Sequence, residues 1–178
     1  SVSPPNFLMD LDLVFERHVC VGLRDLHEYF VEYEELGVNY QPTFSAGLRR
    51  LTASGFQEID KKMSFIEPDA VVHSGKELMR VVLDAKNKFT QTSDGLGVSN
   101  PDLYQIYYYA KRLGLRHCIL VYPKSKSPRT VEKFLMFDRK IMFTKYILPI
   151  TGAPSDILME LRELGRYCYH SQLESSII

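Results

Sequence analysis

From Asp10 onward, apolar residues recur near every 3.6 positions: Leu11, Val14, Phe15, Val19, Leu23, Leu26 and Phe30. That period places them on one side of a helix. Asp10 or Asp12 can cap its start, and Gly37 stands near its expected end. The stretch 39–52 keeps neither a helical nor an alternating period and reads as irregular or weakly helical. Phe56 to Phe65 reads as one strand or a broken pair. Pro68 to His73 then predicts a short strand, Ser74-Gly75-Lys76 a tight turn, and Leu78 to Lys86 a second strand. That second run is mostly apolar but ends in charge, which fits a central strand covered on both faces. Thr90 to Ser99 reads as a loop. Asn100-Pro101 opens a helix, because Asn can cap and Pro suits the first turn, and Gly114 stops it after Leu113. On that helix Asp102, Gln105, Tyr109 and Arg112 fall on one side, Leu103, Ile106, Ala110 and Leu113 on the other. A buried-looking strand follows at His117–Tyr122, with two more near Val131–Asp138 and Lys140–Pro149. Ser155 caps a last helix to about Tyr169, with Ile157, Leu158, Leu161 and Leu164 along one side. The order predicts a mixed β-sheet with helices against it, in the α/β or α+β class.

The 178 residues suit a single domain spanning 10–178. Residues 1–9, opening SVSPPNF, read as a linker or the start of a truncated piece, since their prolines and serines begin no packed element. With 45% hydrophobic and 25% charged residues the composition is that of an ordinary globular fold. No apolar run reaches the roughly 20 residues of a membrane span. Cys20, Cys118 and Cys168 lie far apart with no CxxC, which argues against a zinc knuckle or a disulfide framework and for a reducing compartment. His18, His27, His73, His117 and His170 form no HxxxH pair, and no nucleophile-elbow spacing occurs, so a histidine zinc site and acyl transfer have no support.

Twenty-two basic residues balance 22 acidic ones, which argues against a strongly basic nucleic-acid binder. The balance is uneven along the chain: residues 1–77 carry 13 acidic and 7 basic side chains, and 78–178 carry 9 and 15. Between Lys111 and Lys145 ten basic residues face only Glu132 and Asp138. Such asymmetry marks either a polyanion-facing surface or a solvated face.

One stretch carries chemistry. Asp69 stands at the start of one strand, and Asp84 and Lys86 at the end of its hairpin partner. Residues two apart on a strand share a face, so Asp84 and Lys86 project together, and Asp69 lies across from them if the pair is antiparallel. Two carboxylates and an ammonium buried together are costly unless compensated. A divalent cation compensates, and the two carboxylates with the Ala85 carbonyl are hard oxygen ligands suited to Mg²⁺. Lys86 would orient a water beside that ion, which implies metal-assisted hydrolysis of a phosphodiester. A strand-end ion pair with Asp69 as a turn cap is the bland alternative.

Pro68-Asp69 followed, after a 14-residue hairpin, by Asp84-Ala85-Lys86 resembles the PD-(D/E)XK nuclease signature. The segment Asn100-Pro101-Asp102-Leu103-Tyr104-Gln105-Ile106-Tyr107-Tyr108-Tyr109-Ala110 resembles the Gln-Tyr helix of RecB-like and McrC-like nucleases, and Met9-Asp10-Leu11-Asp12-Leu13-Val14-Phe15-Glu16 resembles the opening of the McrC nuclease domain. The blocks run from Met9 to Leu113 in the expected order; beyond Leu113 only the pattern of strands and helix matches. The resemblance implies a restriction-endonuclease-like fold, a central mixed β-sheet flanked by helices. It implies Asp69 and Asp84 as metal ligands with the Ala85 carbonyl, Lys86 on the attacking water, and Gln105 at the active-site edge. Glu16 would support the metal, or else be an exposed helix residue beside Arg17.

The implied activity is a Mg²⁺-dependent (Mn²⁺ substituting) endonuclease acting on double-stranded DNA, in the cytoplasm of a prokaryote, within a modification-dependent restriction system for phage defence. Its partner would be a McrB-like AAA+ GTPase. The chain has no phosphate-binding Gly-rich Lys-Ser/Thr loop and so is not that motor. Double-strand cutting needs two sites or one used twice, which leaves a homodimer open. Lys88, Tyr109, Lys111, Arg112, Lys124, Lys126 and Arg129 are the candidate DNA contacts; the loop Lys124–Arg129 reads equally as a solvated hairpin tip, and the helix tyrosines as core packing. The rival readings are a RecB-like exonuclease and a non-catalytic nuclease-like module that binds DNA or a partner.

Overall fold

The computed structural model describes residues 10–28, 36–60, 62–74, 78–88, 97–124, 128–137 and 139–174. Helix α1 (Leu11–Arg24) begins at Asp10, whose carboxylate accepts from the backbone N–H groups of Asp12 and Leu13 at 3.0 and 3.1 Å. These are two of the donors that a helix start leaves unpaired. The helix is shorter than the apolar period suggests. It gives way to a 3-10 turn at Asp25–Glu28, which still carries Leu26 into the core, and Gly37 belongs to strand β1 (Leu36–Tyr40) rather than to a helix end. The His73 ring fills the space that a side chain at position 37 would need. Phe30 lies outside the described residues.

The stretch read as irregular holds two short strands, β2 (Phe44–Ser45) and β3 (Arg49–Thr52). They pair antiparallel with β5 (Phe65–Ile66) and β4 (Gly55–Glu58), so Phe56–Phe65 is the broken pair, joined to earlier residues. These strands are largely exposed, so no burial imposed an alternation on their sequence.

Strands β6 (Ala70–Ser74) and β7 (Leu78–Ala85) form the expected antiparallel hairpin. Helix α2 (Asn100–Leu113) follows, capped by the Ser99 hydroxyl rather than by Asn100, and Gly114 closes it in the left-handed conformation at φ 69°. Then come β8 (His117–Lys124), β9 (Thr130–Leu135), β10 (Met142–Pro149) and α3 (Pro154–Glu174). Helix α3 starts one residue before Ser155, with the Asp156 carboxylate accepting from Ala153 N at 3.1 Å, and outruns the expected end.

Six of these strands form one mixed sheet in the order β1-β6-β7-β8-β10-β9, with β7/β8 and β8/β10 parallel and the rest antiparallel. The crossover through α2 makes the parallel β7/β8 pair possible. Alternation then sorts the core into two layers. Val81, Leu83, Ile119, Val121, Tyr146 and Leu148 pack beneath α1 and α3. Val82, Cys118, Leu120, Tyr122, Phe143 and Ile147 pack beneath α2. The fold is thus a central mixed sheet flanked by helices. Among the described residues no helix is long and apolar enough to cross a membrane.

Candidate active site

The site forms where β7 leaves the sheet. Ala70 pairs with Leu83, so one step outward Asp69 faces Asp84. Asp69 Oδ2 accepts from Ala85 N at 2.7 Å, and the Asp69 carbonyl accepts from Gln41 N at 2.8 Å. The next residue stays tied to the sheet, with Lys86 N donating to Val121 O at 2.8 Å. Val82 is buried toward α2, and Asp84 and Lys86, two and four residues on, continue that face. Asp84 is 3% exposed, and its Oδ2 forms an ion pair with the Lys86 ammonium.

Helix α2 supplies the facing wall. Lys86 Nζ donates to Gln105 Oε1 at 3.1 Å, and Gln105 Nε2 donates to Tyr109 OH at 3.0 Å. One turn earlier Lys88 Nζ reaches both Asp102 oxygens at 3.0 and 3.1 Å. Asp102 and Tyr109 are buried, although the helical wheel had set them with the exposed Gln105 and Arg112. Lys88 and Gln105 give their polar ends partners, which is what makes that burial tolerable.

The charges explain the proton affinities. Burial, then the neighbouring Asp84 carboxylate, pushes Asp69 up to about 7, against the Ala85 N–H that lowers it. Burial also raises Asp84, outweighing the Lys86 ammonium. For Lys86 burial acts downward, but the Asp84 and Asp69 carboxylates leave it raised and firmly protonated. Burial acts to raise Asp102 too, yet the Ser99 hydroxyl and the Lys88 ammonium hold it below the usual range. One ammonium therefore serves a buried and a half-buried carboxyl, and the pair is short of positive charge. Asp84 Oδ2, although against Lys86, meets no donor in hydrogen-bonding geometry. Hard oxygen donors short of positive charge fit a Mg²⁺-type cation.

The expected set is only partly gathered. Asp69, Asp84, Lys86 and Gln105 converge. Glu16 sits on α1, in the opposite layer, and its Oε1 accepts from Gln41 Nε2 at 2.9 Å. Among the described residues no three acidic, histidine or cysteine side chains cluster closely enough to hold a metal. The carboxylates that meet here are Asp69 and Asp84, and Gln41 links the Asp69 carbonyl to Glu16.

The candidate DNA contacts scatter. Lys111, Arg112 and Lys124 are exposed, Arg129 pairs with Glu160 and Glu163 at 3.1 and 3.7 Å, and Lys126 lies outside the described residues. Tyr109 is 8% exposed, its hydroxyl taken by Gln105, so its ring is core rather than a stacking surface. The basic run does not form one patch either: Lys145 is buried against Glu132 at 2.9 Å, and Lys133 lies over the Tyr167 ring.

Sequence reasoning missed Gln41 and Asn87. Gln41 ties Asp69 to Glu16 from a left-handed backbone at φ 45°, and Asn87 Nδ2 donates to Asp12 Oδ1 at 3.1 Å. Both bonds span layers, and no local pattern announces them.

Comparison with known proteins bears on the fold and the family. No curated protein matches the chain. A solved structure does, described as a refined half-complex from the tetradecameric assembly of Thermococcus gammatolerans McrB AAA+ hexamers with bound McrC; the TM-score is 0.52 at 20% identity, over 87% of this chain and 32% of that one. This chain therefore spans about a third of that protein's length and shares its fold. The family model described as McrBC 5-methylcytosine restriction system component matches residues 3–123, well over half of the sequence. The chain belongs to the McrBC 5-methylcytosine restriction system component family.

Proposed function

We propose that this chain is the nuclease part of a McrBC-like restriction system, a Mg²⁺-dependent endonuclease that hydrolyses phosphodiesters of double-stranded DNA. The observation that carries the reading is the convergence of Asp69, Asp84, Lys86 and Gln105 at one end of an otherwise apolar sheet. A structural ion pair would need one carboxylate. This site sets a buried and a half-buried carboxyl against one ammonium, with Asp69 raised to about 7.

Asp69, Asp84 and the Ala85 carbonyl would hold the ion, with Glu16 adding charge from α1. When bound, Mg²⁺ supplies a water of lowered pKa and offsets the charge that grows on the phosphorus oxygens. The chain's own groups do the positioning. Ala85 N fixes the Asp69 carboxyl, and Gln105 holds Lys86 from the helix side. Lys86 keeps its proton, so its field favours hydroxide over water beside it. Hydrolysis of a diester needs such aligned groups more than any covalent step.

The McrB AAA+ hexamers in the similar structure support a partner of that kind, a GTP-hydrolysing motor that delivers DNA. The zero net charge agrees: a neutral chain draws DNA weakly at long range and relies on a partner to hold it. The test is covalently closed circular duplex with Mg²⁺ or Mn²⁺, with and without a McrB-like GTPase. Nicked or linear product supports an endonuclease. Circles left intact while linear duplex is degraded would replace it with an exonuclease, and DNA binding without cutting of either would leave a non-catalytic module.

A further inference from the structure

The ribbon between β2 and β5 is not used by the site, yet it is built to project. Its root is anchored in the core at Ile66 and held to α2, where Tyr108 OH donates to Ala46 O at 2.7 Å. Gly47 lies directly under Arg112, whose Nε would stand 2.6 Å from a side chain's first carbon there. Pairing continues outward through Ala46–Ser64 and Leu48–Ile59, each at 3.0 Å, into β3 and β4. Those two strands of four residues each reach roughly 13 Å further. The tip is fixed: Thr52 Oγ1 donates to Gly55 O at 2.7 Å.

The two faces of this finger differ. Arg50 pairs with Gln57 on one face, and Leu51 with Phe56 on the other. Leu51 and Phe56 are 71% and 73% exposed, a rigid apolar pair held in water. As cross-strand partners they form one contiguous apolar patch, the kind of surface that can mark an interaction site. The charge around it selects the covering partner. Arg49, Arg50 and Lys62 stand on the ribbon and Arg112 at its root, while Glu58 faces Arg49 and the Asp60 carboxylate accepts from Lys62 N at 2.7 Å within its own turn.

We infer that this ribbon is a DNA-engaging finger of the nuclease, entering a groove of the duplex beside the cut. The inference rests on the proposed function for its substrate. A two-stranded ribbon fits the major groove, where Arg and Gln are the side chains that reach base edges. Leu51 and Phe56, on the other face, would lie against the apolar sugars of the groove wall rather than against the bases. Helix α2 thus carries both Tyr108, bonded to the finger's root, and Gln105, bonded to Lys86.

The experiment measures binding of a short duplex by the whole chain without divalent metal, between about 50 and 200 mM salt. Arg50→Ala/Gln57→Ala should weaken binding about tenfold and lower the salt slope by about 1. Leu51→Ser/Phe56→Ser should weaken it on a similar scale with the slope unchanged, since no charge is removed. Both variants keep their circular dichroism, because all four side chains lie outside the core. Wild-type affinity and slope in both would overturn the finger, as would loss of AAA+ partner association with DNA binding intact. No cutting enters this measurement, so failure of the nuclease reading shows separately.

Discussion

Lys86 Nζ donates to Gln105 Oε1 at 3.1 Å while Gln105 Nε2 donates to Tyr109 OH at 3.0 Å. The amide is therefore fixed at both ends, between a strand-end ammonium and a buried phenol. Gln105→Ala should leave the fold intact and lower kcat by about 10- to 100-fold with KM little changed, because what is lost is the aim of Lys86. Steady-state kinetics on duplex DNA check this. A rise in KM at constant kcat would make Gln105 a substrate contact instead.

The Asp69 carboxyl gives a pH signature. It rises from 3.8 in a free chain to about 7 in the fold, first through burial and then through Asp84. The folded state thus binds a proton more tightly than the unfolded one. Its stabilising effect is complete below about pH 4 and is lost as pH rises to about 7. Metal-free protein should melt several degrees lower at pH 8 than at pH 5.5, and Asp69→Asn should reduce that drop. Mg²⁺ competes with the proton, so it should stabilise the wild type more at pH 8 than at pH 5.5.

Gln41 pairs strain with position. Its φ of 45° is costly for a residue with a Cβ, by roughly 1–2 kcal/mol. Gln41→Gly should therefore hold or gain about 1 kcal/mol of stability. It should at the same time weaken Mg²⁺ binding several-fold, because Glu16 loses its donor. Thermal unfolding and calorimetric titration on one sample separate the two effects.

Gly47 joins the ribbon to α2. At φ 75°, with Arg112 overhead, Gly47→Ala should cost about 1–2 kcal/mol and lower Tm by ~3–6 °C at this chain length. Arg112→Ala in the same background should recover the steric part, leaving the backbone part.

What the sequence showed and hid follows from range. Asp69, Asp84 and Lys86 were legible because one local hairpin brings them together, and period 2 alone sets which side chains share a face. Gln105 was legible only with the family pattern, since a helix wheel groups it with Asp102 and Tyr109, which are buried with Lys88 and Gln105 itself as their polar partners. Gln41 was hidden because β1 is recognisable only through its pairing with β6, some thirty residues on. The β3–β4 ribbon was hidden for the opposite reason: its exposed faces impose no apolar alternation. Lys145, counted among surface basics, is a buried partner of Glu132.

The proposed role of Asp84 is a part in metal-dependent hydrolysis. Its most direct test is the rate at which closed circular duplex is cut, with Mg²⁺ and a McrB-like GTPase, by the wild type and by Asp84→Asn. The wild type should cut, and the variant should lose at least about a thousandfold in rate. The variant should keep its fold and its DNA binding. An Asp84→Asn protein that cuts at the wild-type rate would contradict that role.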